Sequence, residues 1–343
     1  MPKDFSWGPV IGQKHRACTA LLPLTPLKYL SRHTFLKKLH LKKSIVKGRN
    51  FFIFPFLMLL LSCATTSPIN SSREYPVLFS TLDTVKPEWQ SFADGVDYFH
   101  GKTMLPKLEF WALRIELAAP NTRIVVKGGA MEDGRTLSVK VSGFVRGNAL
   151  AAGINATPFD VSSTKEGQPI KNSGLVISGG QMIAPANPRY DALVFLSDGR
   201  AVIVNQSATA SMANIENAVG GFHHILKDGE PAQRTIDREG RHPRSAAGVS
   251  PNGERLYLLV IDGRRSGSVG GTERETALLL RALGSWQGLN LDGGGSTALA
   301  MRYPNGKVQT VNTPVHGIIP GVERAVAGCI GIELIDEDLT QRR

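Results

Sequence analysis

The sequence predicts an α+β protein, a single β-rich domain in which a few helices pack on mixed sheets. Three observations predict it. Short apolar runs of strand length recur from about residue 87 onward, separated by glycine and Asn/Asp turns. One segment alone carries the caps and the period of a helix. Thirty-six glycines and 42% apolar residues fit a turn-rich globular chain, and 343 residues are ample for a large core. No internal repeat or low-complexity tract interrupts the body.

Residues 110–117 and 123–127 read as strands, and 149–154 is a short buried run ending in Asn155. Hairpins are expected around Gly179-Gly180 and around Asp198-Gly199, the second flanked by the apolar runs 192–196 and 201–204. Residues 246–249 and 255–261 form another strand pair joined by Pro251-Asn252-Gly253. Thr272-Glu273-Arg274-Glu275 is a capping box, with Thr272 as N-cap and Glu275 at the third helical position. Ala277, Leu278, Leu280 and Leu283 follow, and Gly284 supplies the stop. Strands at 288–291 and 325–334 complete the body.

The front of the chain reads as an address. Residues 1–50 hold 11 Lys and Arg against one acid, Asp4, which leaves 29 basic and 28 acidic side chains for the rest of the chain. Ten of the eleven formal positive charges therefore lie in residues 1–50. The body offers no basic surface of the kind a nucleic-acid partner needs. Lys47-Gly48-Arg49 precedes an apolar run, 51–61, that is too short for an ordinary spanning helix. Leu60-Leu61-Ser62-Cys63 then resembles a bacterial lipobox, with Cys63 as the lipidated residue. The expected organisation is a leader of doubtful authenticity at 1–45 (Val46 being an alternative start), a lipoprotein-type signal at 46–63, a Ser/Thr/Pro-rich tether at 64–86, and a catalytic domain at 87–338. This implies an exported protein, lipid-anchored in a bacterial cell envelope, with no protein partner indicated. Cys18, Cys63 and Cys329 leave no disulfide framework and no Cys/His metal cluster.

Several common catalytic signatures are absent: Gly-x-Ser-x-Gly, His-Glu-x-x-His, a Walker A loop, and Gly-x-Gly-x-x-Gly opening a helix. His223 and His224 are adjacent, so on a strand they point to opposite faces and cannot chelate one ion. The most informative segment is Asn290-Leu291-Asp292-Gly293-Gly294-Gly295-Ser296-Thr297, a buried strand running into three glycines and two hydroxyls. Asn290 and Asp292 share a strand face, and consecutive glycines let backbone N–H groups converge on an anion; the alternative is an ordinary glycine-rich turn. Asp262-Gly263-Arg264-Arg265 places a carboxylate and guanidiniums at a strand end, where Arg264 suits phosphate oxygens. Arg244, just before another strand, is a second anion-binding candidate, and Arg324, before the last strand, a weaker one. Asn155 either bonds a sugar hydroxyl or caps a turn. Glu275 is a second carboxylate candidate, although its capping role explains it.

In their order along the chain, Asn155–Phe159, Arg244-Ser245, Asp262-Gly263-Arg264, the helix with Glu275, Asn290–Thr297 and Glu323-Arg324-Ala325-Val326 resemble the phosphodiester glycosidase family over about residues 105–335. The family usually shows Asn-Gly-Gly-Phe-Phe where this chain has Asn155-Ala156-Thr157-Pro158-Phe159. The resemblance implies hydrolysis of a sugar-1-phosphodiester, such as one of N-acetylglucosamine, at the anomeric C–O bond. Asp292 is then the nucleophile or general base, with Asp262 and Glu275 as further catalytic candidates. Arg244, Arg264, the Gly293–Gly295 backbone, Ser296 and Thr297 hold the phosphate, Asn155 and Asn290 the sugar, and Arg324 is a further substrate-binding candidate. No cofactor is required, although two nearby carboxylates would suit a divalent ion. A metal-dependent phosphodiesterase and a non-catalytic glycan-binding lipoprotein are the competing expectations.

Overall fold

The computed structural model describes residues 76–160, 165–235, 240–317 and 319–335, with the Arg234 side chain also outside the description. The leader, the signal segment with Cys63 and the first part of the tether lie outside the described residues. No helix among the described residues is long and apolar enough to cross a membrane.

The described strands form three main sheets. The first, of nine strands, runs Val77–Thr81, Val96–Leu105, Leu108–Glu116, Arg255–Ile261, Arg244–Val249, Gln287–Asn290, His224–Lys227, Glu230–Pro231, with Gln90–Ala93 also paired to Val96–Leu105. Its pairs are antiparallel except Val77–Thr81, which runs parallel to Val96–Leu105. A five-stranded antiparallel sheet orders Gln181–Ala184, Val176–Ser178, Ile215–Gly220, Asp191–Leu196 and Ala201–Asn205. The third, also of five antiparallel strands, orders Val308–Thr310, Leu299–Arg302, Ala152–Asn155, Cys329–Leu334 and Thr122–Val126.

The apolar run 255–261 shows why so many strands lack a polar face. Leu256, Leu258 and Val260 point into a core where all three sheets converge, together with Leu113, Leu193 and Ile330. Tyr257, Leu259 and Ile261 point the other way, into a second core closed by the helix Glu273–Leu283. A strand buried on both faces has no position left for polar alternation. This helix has the predicted capping box and ends at Gly284, whose φ of 112° a side chain rarely tolerates. A shorter helix, Val141–Gly147, packs Val141, Phe144 and Val145 against the third sheet. The sequence reading does not place it, because seven residues interrupted by two glycines carry too little period.

The tether reading fails at its C-terminal end. Val77–Thr81 is a strand of the first sheet, with Val77 and Phe79 packed against the second core and Leu82 buried just after it. Alternating burial over five residues is the signal that the Ser/Thr/Pro composition of the neighbourhood obscures.

Candidate active site

The strand Gln287–Asn290 ends where the first sheet meets the third, and the glycine-rich loop crosses between them. Leu291 N donates to Ser245 O (3.0 Å), Asp292 N to Ala156 O (2.9 Å) and Gly294 N to Pro243 O (2.8 Å). Gly294 has φ +61°, and a Cβ on Gly293 would lie 2.9 Å from the Pro243 carbonyl oxygen. The glycines are thus required by the path of the loop. The expected backbone cradle for an anion is largely absent. The Gly294, Ser296 and Thr297 amides donate to Pro243, Gly293 and Gly294 carbonyls, and the Gly293 amide serves the Asp292 carboxylate.

Side chains supply the positive charge instead. A cleft of about 280 Å³ is lined by Asp292, Arg244, Arg264, Arg324, Asn290, His242 and Phe222, with the glycines as its floor. Arg244 is anchored by Nε to Gly271 O (2.9 Å) and by one terminal nitrogen to Gly240 O (2.8 Å). Arg324 donates from Nε to His316 Nδ1 (3.1 Å) and from a terminal nitrogen to Ser296 Oγ (3.4 Å). Arg264 is exposed, takes φ +59°, and its guanidinium has no hydrogen bond or ion pair to any described residue.

Burial pushes the Asp292 carboxyl up to about 6, against the lowering effects of the Ser296 hydroxyl, the Arg324 charge and the Gly293 amide. Ser296 therefore links Arg324 to Asp292. Burial also lowers the pKa of His242, as do the charges of Arg244 and Arg264. Burial and Arg324 lower that of His316, whose ring nitrogen accepts from that arginine. Two imidazoles are thereby biased to the neutral form beside three guanidiniums.

The structure brings Asp292, Asn290, Arg244, Arg264, Arg324 and Gly293–Gly295 to the cleft. Other expected site residues stand elsewhere. Asn155 is fully buried; its Nδ2 donates to Asp292 O (2.5 Å), and its Oδ1 accepts from Ser245 Oγ (2.7 Å) and Ala298 N (3.1 Å). It fastens the loop and does not reach a sugar. Asp262 is also buried, and its carboxylate takes Asn312 Nδ2 (3.0 Å), Thr313 N (3.1 Å) and Arg265. It organises the loop that delivers Arg264. Thr297 is buried and lines no part of the cleft, while Ser296, also buried, acts only through Asp292 and Arg324. Glu275 accepts from Thr272 N (2.9 Å) and pairs with Arg241 (2.6 and 2.8 Å), which its capping position dictates.

The Arg264 loop has a second anchor. Arg265 pairs with Glu109 (2.7 Å), and the Glu109 backbone N–H donates to Ser268 Oγ at 2.9 Å. Burial raises the Glu109 pKa, yet His100, Lys102 and Arg265 hold that carboxyl at about 2. Sequence reasoning also misses Phe222, half-buried and edge-on to Tyr190, which gives the cleft an apolar wall. His223 is buried and its Nε2 meets Glu273 Oε2 at 2.8 Å, whereas His224 is half-buried against Asp191. Gly220-Gly221 before an aromatic residue is the only sequence signal for this corner; a Cβ on Gly221 would lie 2.7 Å from Asn290 O. Among the described residues no group of three or more His, Cys, Asp or Glu side chains is placed to hold a metal ion.

Residues 148–333 match the phosphodiester glycosidase family. The chain belongs to that family. A solved structure of the zebrafish N-acetylglucosamine-1-phosphodiester alpha-N-acetylglucosaminidase catalytic domain, auto-inhibited by its pro-peptide, has a similar fold. The TM-score is 0.52 at 17% identity, covering 74% of this chain and 89% of that one. A hypothetical protein from Synechocystis (TM-score 0.50, 15% identity, 74% and 64% covered) is similar in fold. So is a Burkholderia pseudomallei K96243 protein described as exported (0.50, 15%, 67% and 74%). In sequence, the SPbeta prophage-derived uncharacterized protein YomE of Bacillus subtilis (strain 168) is 31% identical over 160 residues, 44% of this chain. The matched part spans 23% of that relative's length. Family and fold together support a glycosidase-type function in a mostly β-stranded α+β domain.

Removing the Glu275 carboxylate tests its reassignment. Glu275→Ala is expected to lower the unfolding free energy by about 1 kcal/mol, the worth of a helix cap, while turnover stays within about threefold, since the side chain lies outside the cleft. Urea denaturation and initial rates on the same preparation check both.

Proposed function

We propose that the protein hydrolyses a sugar-1-phosphodiester, of the N-acetylglucosamine-1-phosphodiester kind, at the anomeric C–O bond. The observation that carries this reading is one partly exposed carboxylate, Asp292, in a cleft lined by three arginines. The phosphodiester anion sits among Arg244, Arg264 and Arg324, and the sugar lies toward Asn290 and Phe222. As the C1–O bond breaks, its electron pair passes to the phosphate oxygen. A phosphate monoester bears that charge well, so the guanidiniums can replace a general acid. Ionised Asp292 either attacks C1 or takes a proton from the water that does, and its raised pKa suits it to the second task. Among the described carboxylates only Asp292 lines the cleft, because Asp262 is held away by Asn312, Thr313 and Arg265. The divalent-ion phosphodiesterase reading relied on that pair and is the weaker of the two. Export and lipid attachment at Cys63 belong to the same proposal, as a substrate in envelope glycans requires. Metabolic labelling with palmitate, lost in Cys63→Ser, is expected, and label retained in that variant overturns the anchor.

Hydrolysis of an N-acetylglucosamine-1-phosphodiester in oxygen-18 water tests the reaction. Label in the sugar is expected; label in the phosphate instead establishes P–O cleavage.

Asp292 also predicts two pH dependences. The ionised form is the active one, so kcat/KM should rise through about pH 6, and Asp292→Asn should lose at least about a hundredfold in kcat. For stability the sign is opposite. A carboxyl whose pKa is raised on folding stabilises the native state most below the unfolded value of 3.8, and that contribution is lost as pH rises through about 6. Asp292→Asn should therefore gain about 2–3 kcal/mol on the native protein between pH 4 and pH 8. Denaturation at both pH values measures the gain, and an unchanged difference refutes the raised pKa.

A further inference from the structure

Besides Asp292, a second carboxylate, Glu273, stands at the cleft wall. It is the first residue of the helix Glu273–Leu283 and is buried, with 4% of its surface exposed. Its Oε2 meets His223 Nε2 at 2.8 Å. Its Oε1 lies 3.5 Å from Asn290 Nδ2 and 3.7 Å from a terminal nitrogen of Arg244. Asn290 and Arg244 both line the cleft. Glu273 thus stands behind the wall and touches two of the groups that form it. Nothing in the capping of the helix requires it, since Thr272 and Glu275 complete that box without it.

A carboxylate offers acceptors only. Asn290 must therefore turn its NH₂ toward Glu273, which leaves its carbonyl oxygen on the other side of the amide. That Oδ1 accepts no hydrogen bond from any described residue and is not among the buried unpartnered atoms, so it meets the cleft. The backbone of the residue is fixed independently. Asn290 N donates to His223 O (3.1 Å) and Asn290 O accepts from Phe222 N (2.8 Å), which holds the Cα while leaving the amide to be oriented by its neighbour. His223, on the same short segment as Phe222, holds the far oxygen of Glu273 and so fixes the carboxylate plane.

We propose that Glu273, steadied by His223, is a positioning residue that sets the Asn290 amide with its oxygen facing the cleft, so that the site selects sugars presenting a hydroxyl or acetamido N–H donor at that point. This rests on the sugar-phosphodiester reading of the site. An oxygen fixed by a buried carboxylate discriminates better than a freely turning amide, because a ligand without the donor leaves it unpaired. Glu273 also balances part of the Arg244 charge, which bears on phosphate and not on sugar.

The two ligands N-acetylglucosamine 1-phosphate and inorganic phosphate separate these roles by titration calorimetry on the full chain. Glu273→Met deletes the acceptor at similar volume and frees the amide to flip. It should weaken the sugar phosphate by about tenfold and leave inorganic phosphate unchanged or slightly tighter. Glu273→Gln, which retains an acceptor, should keep the sugar phosphate within about threefold. Asn290→Ala reads the oxygen directly should Glu273→Met fail to fold; it should show the same selective loss, and the double variant should lose no more than either alone. Equal loss of both ligands in Glu273→Met, failure of Glu273→Gln to rescue, or additive loss in the double variant overturns the positioning role and leaves the reading of the site intact. A native protein that binds phosphate and not the sugar phosphate removes that reading, and the inference with it.

Discussion

One side chain holds the site together. Asn155 ends a strand of the third sheet, accepts from Ser245 of the first sheet and from Ala298 where the chain re-enters the third, and donates to the carbonyl of Asp292 itself. The glycine-rich loop is the bridge between two sheets, and Asn155 is the bond that fixes its near end. Asn155 itself lies at zero exposure, where an unpaired amide or carbonyl would cost about 1–3 kcal/mol. The position of the Asp292 carboxylate is therefore set by the same interactions that join the sheets. A loop fastened only by its own turn would leave Asp292 free to swing toward the nearest guanidinium and neutralise it.

Charge is arranged on the same plan. Three arginines converge on the cleft, and two of them are tied to carbonyls, a hydroxyl and a neutral imidazole. Such partners orient a guanidinium without cancelling its charge; at Arg244 the buried Glu273 carboxylate, 3.7 Å away, offsets part of it. Arg264 is handled differently. Its backbone conformation is imposed by a loop pinned through Asp262, Ser268 and the Arg265–Glu109 pair, and its side chain is left open. Other carboxylates pair with arginines outside the cleft, at Arg265 and, through Glu275, at Arg241. Donors fixed in advance need no reorganisation when they meet negative charge.

The strands with continuous apolar runs and the capped helix were legible in the sequence, because burial on both faces and a capping box are local patterns. So was the loop Asn290–Thr297, whose triple glycine between an acid and two hydroxyls stands apart from the chain's ordinary Asp-Gly turns. The roles inside the motifs were less legible. Asn155, Asp262 and Thr297 are polar residues beside strands in a resembling motif, and nothing local separates a buried polar residue that ties two sheets from one that faces a ligand. That difference is made by partners 90 to 143 residues away for Asn155 and about 50 away for Asp262. The strand Val77–Thr81 was hidden by its neighbours' composition, and Phe222 by the absence of any motif around it.

Glu273 and Glu275 show how fine the distinction becomes. Both lie in the first turn of one helix, where the dipole and the open amides favour acids. Two residues apart, they differ by about 200° around the helix axis. Glu275 turns back to the N-cap amide and outward to Arg241, and Glu273 turns under the first sheet toward His223, Asn290 and Arg244. The capping box accounts fully for the acid that the sequence marks most clearly. The unmarked acid has no local reason to be buried, and burying a carboxylate is costly unless it is hydrogen-bonded and paired. Its partners include two cleft residues and a histidine, so part of what it gains from burial is gained at the site.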